Sequence, residues 1–372
     1  MIYADNAATT GLDKDAFEAM KPYLMNEYGN ASQPYFFAKP AKKAISEARE
    51  TVARCIGAEP DEIYFTSGGT ESDNWVIKES ALEDADKRDM ITSQIEHHAI
   101  LNSCKAIEKL KYPVRYLPVT GEGVVLPEEL ESIITDQTRL VSVMLANNEI
   151  GTIEPIEKLA TIAHQHGAFF HTDAVQAVGH IPIDVNKLGV DMLSASAHKF
   201  NGMKGSGFLY IRKGTQIGSY EDGGSQEHGK RAGTENVAAI VAMAVALKKN
   251  CDHLAETTKR LSDMENALLG RLTAAGLDFI RNGSSNHLPG NINISFKNSD
   301  GEMLLHRMDL KGICISTGSA CDSKNTQISH VIKAINVPEE YAKGTIRISL
   351  GAHNEKDDAV QIADALIDIL RK

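Results

Sequence analysis

Short unbroken apolar runs alternate along this chain with longer stretches in which apolar residues return at helical spacing, a pattern that predicts a largely parallel α/β sheet between helices. The runs at 62–66, 90–93, 140–146, 168–173, 192–195 and 207–212 read as strands. Helical spacing covers 14–27, 39–56 and 156–166, and the last two stop at Gly57 and Gly167, residues that tolerate the left-handed turn of a helix end. The alanine-rich run 237–250 is too short to cross a bilayer and predicts a buried helix. Leu254, Leu261 and Leu268 then mark a long linking helix, in a row too short for a coiled coil. Beyond Gly276 come short strands at 292–296, 312–316 and 345–350, and a last helix capped by Asn354. There are no internal repeats or low-complexity tracts.

With 372 residues, the chain exceeds the ~250–300 residues at which a single core stops growing, so two domains are expected. The boundaries read as a large domain over 15–257 and a smaller one built from 1–14 and 258–372. The formal net charge is −11 and the Lys and Arg residues are scattered, so no direct nucleic-acid partner is expected. The first residues, Met1-Ile-Tyr-Ala-Asp-Asn6, have neither the basic lead nor the apolar core of an export signal, which leads us to expect a cytoplasmic protein without a membrane partner. Cys55, Cys104, Cys251, Cys314 and Cys321 lack paired C-x-x-C spacing and are expected as reduced thiols.

The run 192–195 breaks into Ser196, His198 and Lys199 and then into glycines, which puts these side chains at a strand's carboxyl end, where open α/β sheets bind ligands. Partial desolvation favours the neutral amine of a lysine, and a neutral amine condenses with an aldehyde, here expected to be pyridoxal phosphate. A lone lysine in such a turn is more often a solvated charge, so the weight rests on its partners. Asp173, closing the strand 168–173, is placed to keep a pyridine nitrogen protonated, or else caps a turn. Gln176 either bonds a ring hydroxyl or lies on a helix surface. The strand 62–66, the turn Ser67-Gly-Gly69-Thr70 and the helix start after it form a phosphate cradle, to which Ser196 and His198 add donors. His97 or His98 offers an aromatic lid, and spacing does not choose between them. An amide of Asn147-Asn148-Glu149 can reach both cofactor and substrate carboxylate, although asparagines there are also ordinary turn formers. Arg347 has apolar neighbours and needs an anion, either a substrate carboxylate or an internal partner. Cys321 lies in a small polar loop that suits a nucleophile better than a buried hydrophobe. The stretch 223–236, carrying Thr234, is too polar to fold onto its own core and is expected to reach across a two-fold interface.

Taken in order, these motifs match a known family. Tyr3-Ala-Asp-Asn-Ala-Ala-Thr-Thr10, Thr66-Ser-Gly-Gly-Thr-Glu-Ser-Asp-Asn74, Glu96-His97, Asn147-Asn-Glu-Ile-Gly151, His171-Thr-Asp-Ala-Val-Gln176, Ser196-Ala-His-Lys199, Gly229-Lys-Arg-Ala-Gly-Thr-Glu-Asn-Val237 and Ser316-Thr-Gly-Ser-Ala-Cys321 resemble the group I cysteine desulfurases, pyridoxal-phosphate enzymes of the class V aminotransferase superfamily. The resemblance runs along nearly the whole chain. It implies the type I fold of such enzymes, a mainly parallel seven-stranded sheet between helices plus a smaller α+β domain that carries the nucleophile loop at about 316–330. It also implies that Lys199 carries the cofactor, His97 stacks on it, Asp173 and Gln176 hold the ring, and Gly69, Thr70, Ser196 and His198 bind the phosphate. Thr234 would reach the phosphate of the other subunit of a homodimer, Asn148 and Arg347 would hold the substrate carboxylate, and Cys321 would accept sulfur. Ser32-Gln-Pro-Tyr35, Gly11 and Met203 depart from the family's usual residues, and none is among these contacts.

The reaction so implied converts L-cysteine to L-alanine and leaves a persulfide for an acceptor protein of iron–sulfur cluster assembly or a thiolation pathway. A class V aminotransferase or a selenocysteine lyase would share the lysine site, but an aminotransferase has no need of Cys321. A sulfur-carrying scaffold would need the thiol and neither Lys199 nor Asp173. Hydride and metal chemistry find no support, for there is no strand-linked G-x-G-x-x-G and no ligand cluster in the sequence.

Overall fold

The computed structural model describes residues 1–83, 88–317 and 328–371. Among them twelve strands form: β1 (Ile2–Tyr3), β2 (Ile63–Thr66), β3 (Asp89–Ser93), β4 (Val114–Leu117), β5 (Thr138–Ser142), β6 (Phe169–Asp173), β7 (Met192–Ser196), β8 (Gly207–Ile211), β9 (Phe279–Asn282), β10 (Asn291–Phe296), β11 (Ile313–Cys314) and β12 (Thr345–Ser349). Seven of them make one sheet in the order β2-β8-β7-β6-β5-β3-β4. Its pairings are parallel except those of β8, which runs antiparallel to β2 and β7.

Both faces of the sheet are covered, so its central strands bury apolar residues on each side. Successive residues serve opposite cores. Phe65, Ile91, Val141, Leu193 and Tyr210 join a core with the helices Lys39–Ile56, Ile156–Gln165 and Val237–Asp252. Their neighbours Tyr64, Met90, Leu140, Met192 and Leu209 join another with Trp75 and Ile77 of the helix Gly69–Glu83 and Ile100 of His98–Lys109. Gly57 ends its helix at φ 72°, as expected. A further core joins Leu261 and Leu268 of the helix Leu254–Ala274 to Ile292, Ile294, Ile346 and Ile348, with Ala4 from the amino terminus and Ile362 and Leu366 of the helix Lys356–Leu370. It lies on the antiparallel sheet β12-β10-β9.

Several boundaries differ from the sequence reading. The strand expected over 140–146 is β5 plus an extension in which the N–H groups of Val143 and Leu145 still donate to His171 and Asp173, at 3.1 and 2.9 Å. Asn354 does not cap the last helix. Its Oδ1 accepts from Gly351 N–H at 2.8 Å and its Nδ2 donates to the Tyr3 carbonyl at 3.0 Å, while Glu355 occupies the cap position and its N–H donates to Asp358. The stretch 223–236 does fold onto its own chain, but by charge: Glu227 is buried and takes the Arg49 guanidinium on both oxygens at 2.7 Å, and Arg231 pairs with Glu71 at 2.9 Å. Charge-assisted pairs supply the anchoring that apolar content could not. Cys55, Cys104, Cys251 and Cys314 are free thiols, and no helix among the described residues is long and apolar enough to cross a membrane.

Candidate active site

The loops leaving the carboxyl ends of β2, β3, β6 and β7, with that following β5, converge on a cavity of about 530 Å³. Gly69, Thr70, His97, Asn148, Asp173, Gln176, Ser196, His198, Lys199 and Arg347 all line it. Two expected residues do not. Thr234 lines a separate hollow beside Arg231 and Glu235, and Cys321 lies outside the described residues.

Lys199 follows β7, and its Nζ donates to the carbonyls of Ala7 and Ala8 at 2.6 and 2.9 Å. Gln176 Nε2 donates to the same Ala7 carbonyl at 2.9 Å. The lead is pinned there by Thr10, whose N–H and hydroxyl both donate to the His198 carbonyl at 2.9 Å. The sequence reading grouped this lead with 258–372 and gave it no role at Lys199, although the motif at 3–10 marked it out.

Beyond β2, Gly68 takes φ 147° and a Cβ on Gly69 would stand 2.4 Å from Val175 Cγ2. Only glycine lets the helix Gly69–Glu83 start against the turn after β6, where its unpaired first-turn N–H groups meet Ser196 and His198 at one cavity wall. Glu71 is on the same wall, with its charge taken up by Arg231. This is an anion cradle.

Asp173 Oδ1 accepts from Val175 N–H at 2.9 Å, and burial pushes the carboxyl up to about 6, against the pull of that bond and of Lys199. Such a carboxylate gains most from a cationic N–H donor. His97 Nδ1 accepts from Ala99 N–H at 3.2 Å, which caps the following helix and fixes the ring. Burial, aided by Lys199, lowers its pKa to about 4, so the ring is neutral. His98 also lines the cavity and packs edge-on to His330 at 5.0 Å. His198 is likewise lowered to about 4, first by burial and then by Lys199.

Arg347 is 3% exposed, and its guanidinium donates to Asp5 Oδ1 at 2.7 Å and to the Asn148 carbonyl at 2.9 Å. The internal partner weighed from the sequence is therefore present, at the wall of the same cavity. Asn147 is the turn former, its Oδ1 accepting from Glu149 and Ile150 N–H at 2.8 and 3.1 Å, which leaves the Asn148 side chain to the cavity. Ser316, opening the motif that contains Cys321, exchanges backbone hydrogen bonds with Arg347 at 3.0 and 2.7 Å. Asp73, Met144, Glu149 and His330 line the cavity without having been singled out; Asp73 and Glu149 sit inside quoted motifs, the only signal available.

The aminotransferase class-V family matches residues 2–362. The chain is 49% identical to "Cysteine desulfurase IscS" of Dictyoglomus turgidum, over 100% of this chain and 95% of that protein. Among solved structures it superposes on a "NifS-like protein" with TM-score 0.94 and 38% identity, covering 100% of this chain and 99% of the other. It also superposes on "SspA in complex with cysteine" with TM-score 0.84 and 35% identity, covering 94% and 99%. With the sheet order described above, these place the chain in the type I fold of pyridoxal-phosphate enzymes. The chain belongs to the aminotransferase class-V family and, within it, to the cysteine desulfurases.

Proposed function

We propose that the cavity holds pyridoxal phosphate on Lys199 and that the protein uses it to pass the sulfur of L-cysteine to Cys321, releasing L-alanine. The observation that carries this reading is the meeting, in one cavity, of Lys199, the buried acid Asp173, the glycine-built anion cradle and the guanidinium of Arg347. The residues fit the group: Gly68, Gly69 and Thr70 bring the start of the helix Gly69–Glu83 to the cavity with Ser196 and His198, which suits a phosphate, and Asp173 suits a protonated ring nitrogen. Gly69, Thr70, Ser196 and His198 would take the phosphate, Asp173, Gln176 and Asn148 the ring substituents, and His97 the ring face. When bound, the cofactor supplies an electron sink for negative charge arising at the substrate's α-carbon.

The chain's own residues do the rest. The Lys199 amine takes the α proton, and neutral His97 assists proton movement beside it. Asn148 and Arg347 hold the substrate carboxylate. The Cys321 thiolate attacks the substrate sulfur, so an S–S bond forms as the Cβ–S bond breaks, and the persulfide left on Cys321 is collected by an acceptor protein. In this reading Thr234 serves the partner subunit's phosphate in a homodimer, the domains divide at 15–257 against 1–14 with 258–372, and the protein works in the cytoplasm on iron–sulfur assembly or thiolation. The products test it: L-cysteine with a reductant is expected to give alanine and sulfide in equal amounts, and pyruvate in place of alanine would refute it.

Arg347→Ala is expected to raise the KM for L-cysteine by roughly tenfold or more with the cofactor spectrum unchanged, since a charge-assisted contact is worth roughly 1.5–3 kcal/mol. The exchange of Asp5 for the substrate carboxylate sets the low end of that range. Loss of cofactor instead would make Arg347 structural.

A further inference from the structure

Beside Asp173 the cavity carries a second carboxyl group that the mechanism above leaves unused. Asp73, on the helix Gly69–Glu83, is 1% exposed, and its Oδ1 has no hydrogen-bond partner. One oxygen of Asp73, one of Asp173 and a ring nitrogen of His97 lie within 4.8 Å of one another. Two carboxylates that close in a buried site do not both ionise, so one keeps a proton.

The surroundings decide which. Asp173 has the Val175 N–H at 2.9 Å and the Lys199 cation to support a charge. Burial opposes a charge on Asp73 most, Asp173 and Glu96 add to that, and the Ser194 hydroxyl, the one group that supports the charge, does not outweigh them, so its carboxyl stands well above the usual range. The other groups around it bring no cation: His171, with Nε2 3.9 Å from Asp73 Oδ1, is held neutral by burial, as is His97, and Ser194 Oγ is shared with His171 at 2.9 Å.

We propose that Asp73 is a neutral carboxylic acid that donates its hydrogen bond to Asp173 and so aims the ionised Asp173 at the cofactor's ring nitrogen. It is a positioning residue, and the inference rests on the cofactor reading above. An amide offers an N–H donor from the same place. Asp73→Asn therefore keeps the role, whereas Asp73→Leu fills the space without a donor.

The test is titration of cofactor-free full-length protein with pyridoxal phosphate, followed by absorbance. Asp73→Asn is expected to keep wild-type affinity and Asp73→Leu to lose roughly tenfold or more, the worth of one hydrogen bond to a charged group. Subtracting the infrared spectrum of Asp73→Asn from that of the wild type at neutral pH is expected to leave a protonated-carboxyl band. Asp73→Asn binding poorly, Asp73→Leu binding normally, or no such band would each overturn the proposal. If Asp73→Leu does not fold, Asp73→Asn and the infrared difference decide alone. Asp173→Ala separates the two levels: weakened binding there with normal binding in Asp73→Leu removes only this inference, whereas wild-type binding in Asp173→Ala removes the cofactor reading as well.

Discussion

Cys321→Ser abolishes sulfide release from L-cysteine while leaving the cofactor bound. This outcome is expected because the cofactor contacts proposed for this cavity lie on Gly69, Thr70, His97, Asn148, Asp173, Gln176, Ser196, His198 and Lys199, and none involves the thiol. A serine hydroxyl at neutral pH is neither ionised nor soft enough to take sulfur from sulfur, so the loss is expected to be on the order of 10³-fold or more. The α proton is still removed by Lys199, so mixing the variant with L-cysteine is expected to change the visible spectrum without turnover. Sulfide release at the wild-type rate would transfer the chemistry to some other group and refute the role of Cys321.

Lys199→Ala is expected to lose turnover on the order of 10³-fold or more, because one side chain acts both as covalent anchor and as the base at the α-carbon. Borohydride treatment of the wild type is expected to fix the cofactor to a peptide containing Lys199, and the variant is expected to yield no such peptide. A cofactor still fixed by borohydride in Lys199→Ala would show that the anchor is elsewhere. The substitution also removes the two hydrogen bonds from Nζ to Ala7 and Ala8. Some loosening of the amino-terminal lead is therefore expected, and it can be read separately by proteolysis.

The interior of the fold was legible because β5, β6, β7 and β8 are buried on both faces and so put adjacent apolar residues, such as Leu140-Val141, Phe169-Phe170, Met192-Leu193 and Phe208-Leu209, into the sequence. The edge strands β4 and β9 were not. Each is short, half-exposed over most of its length and carries an arginine in its middle, which breaks the apolar run. Lys199, Asp173 and Gly69 stood out because a polar or glycine residue directly after an apolar strand is a local signal. Their closest partners are distant in sequence: Ala7 meets Lys199 across 192 positions, and Asp5 meets Arg347 across 342. Only the fold supplies such contacts. The anchoring of the loop 223–236 was illegible for a related reason, since the sequence shows its lack of apolar residues but not that Arg49 waits for Glu227.

The most direct test of the central claim, that sulfur passes from L-cysteine to Cys321, is to mix stoichiometric L-cysteine with the wild-type enzyme without reductant, alkylate, and locate the extra sulfur by peptide mass. A persulfide on the peptide containing Cys321, and none on those containing Cys55, Cys104, Cys251 or Cys314, is the predicted result. Alanine release with unmodified Cys321, or a persulfide on one of the other four cysteines, would contradict it.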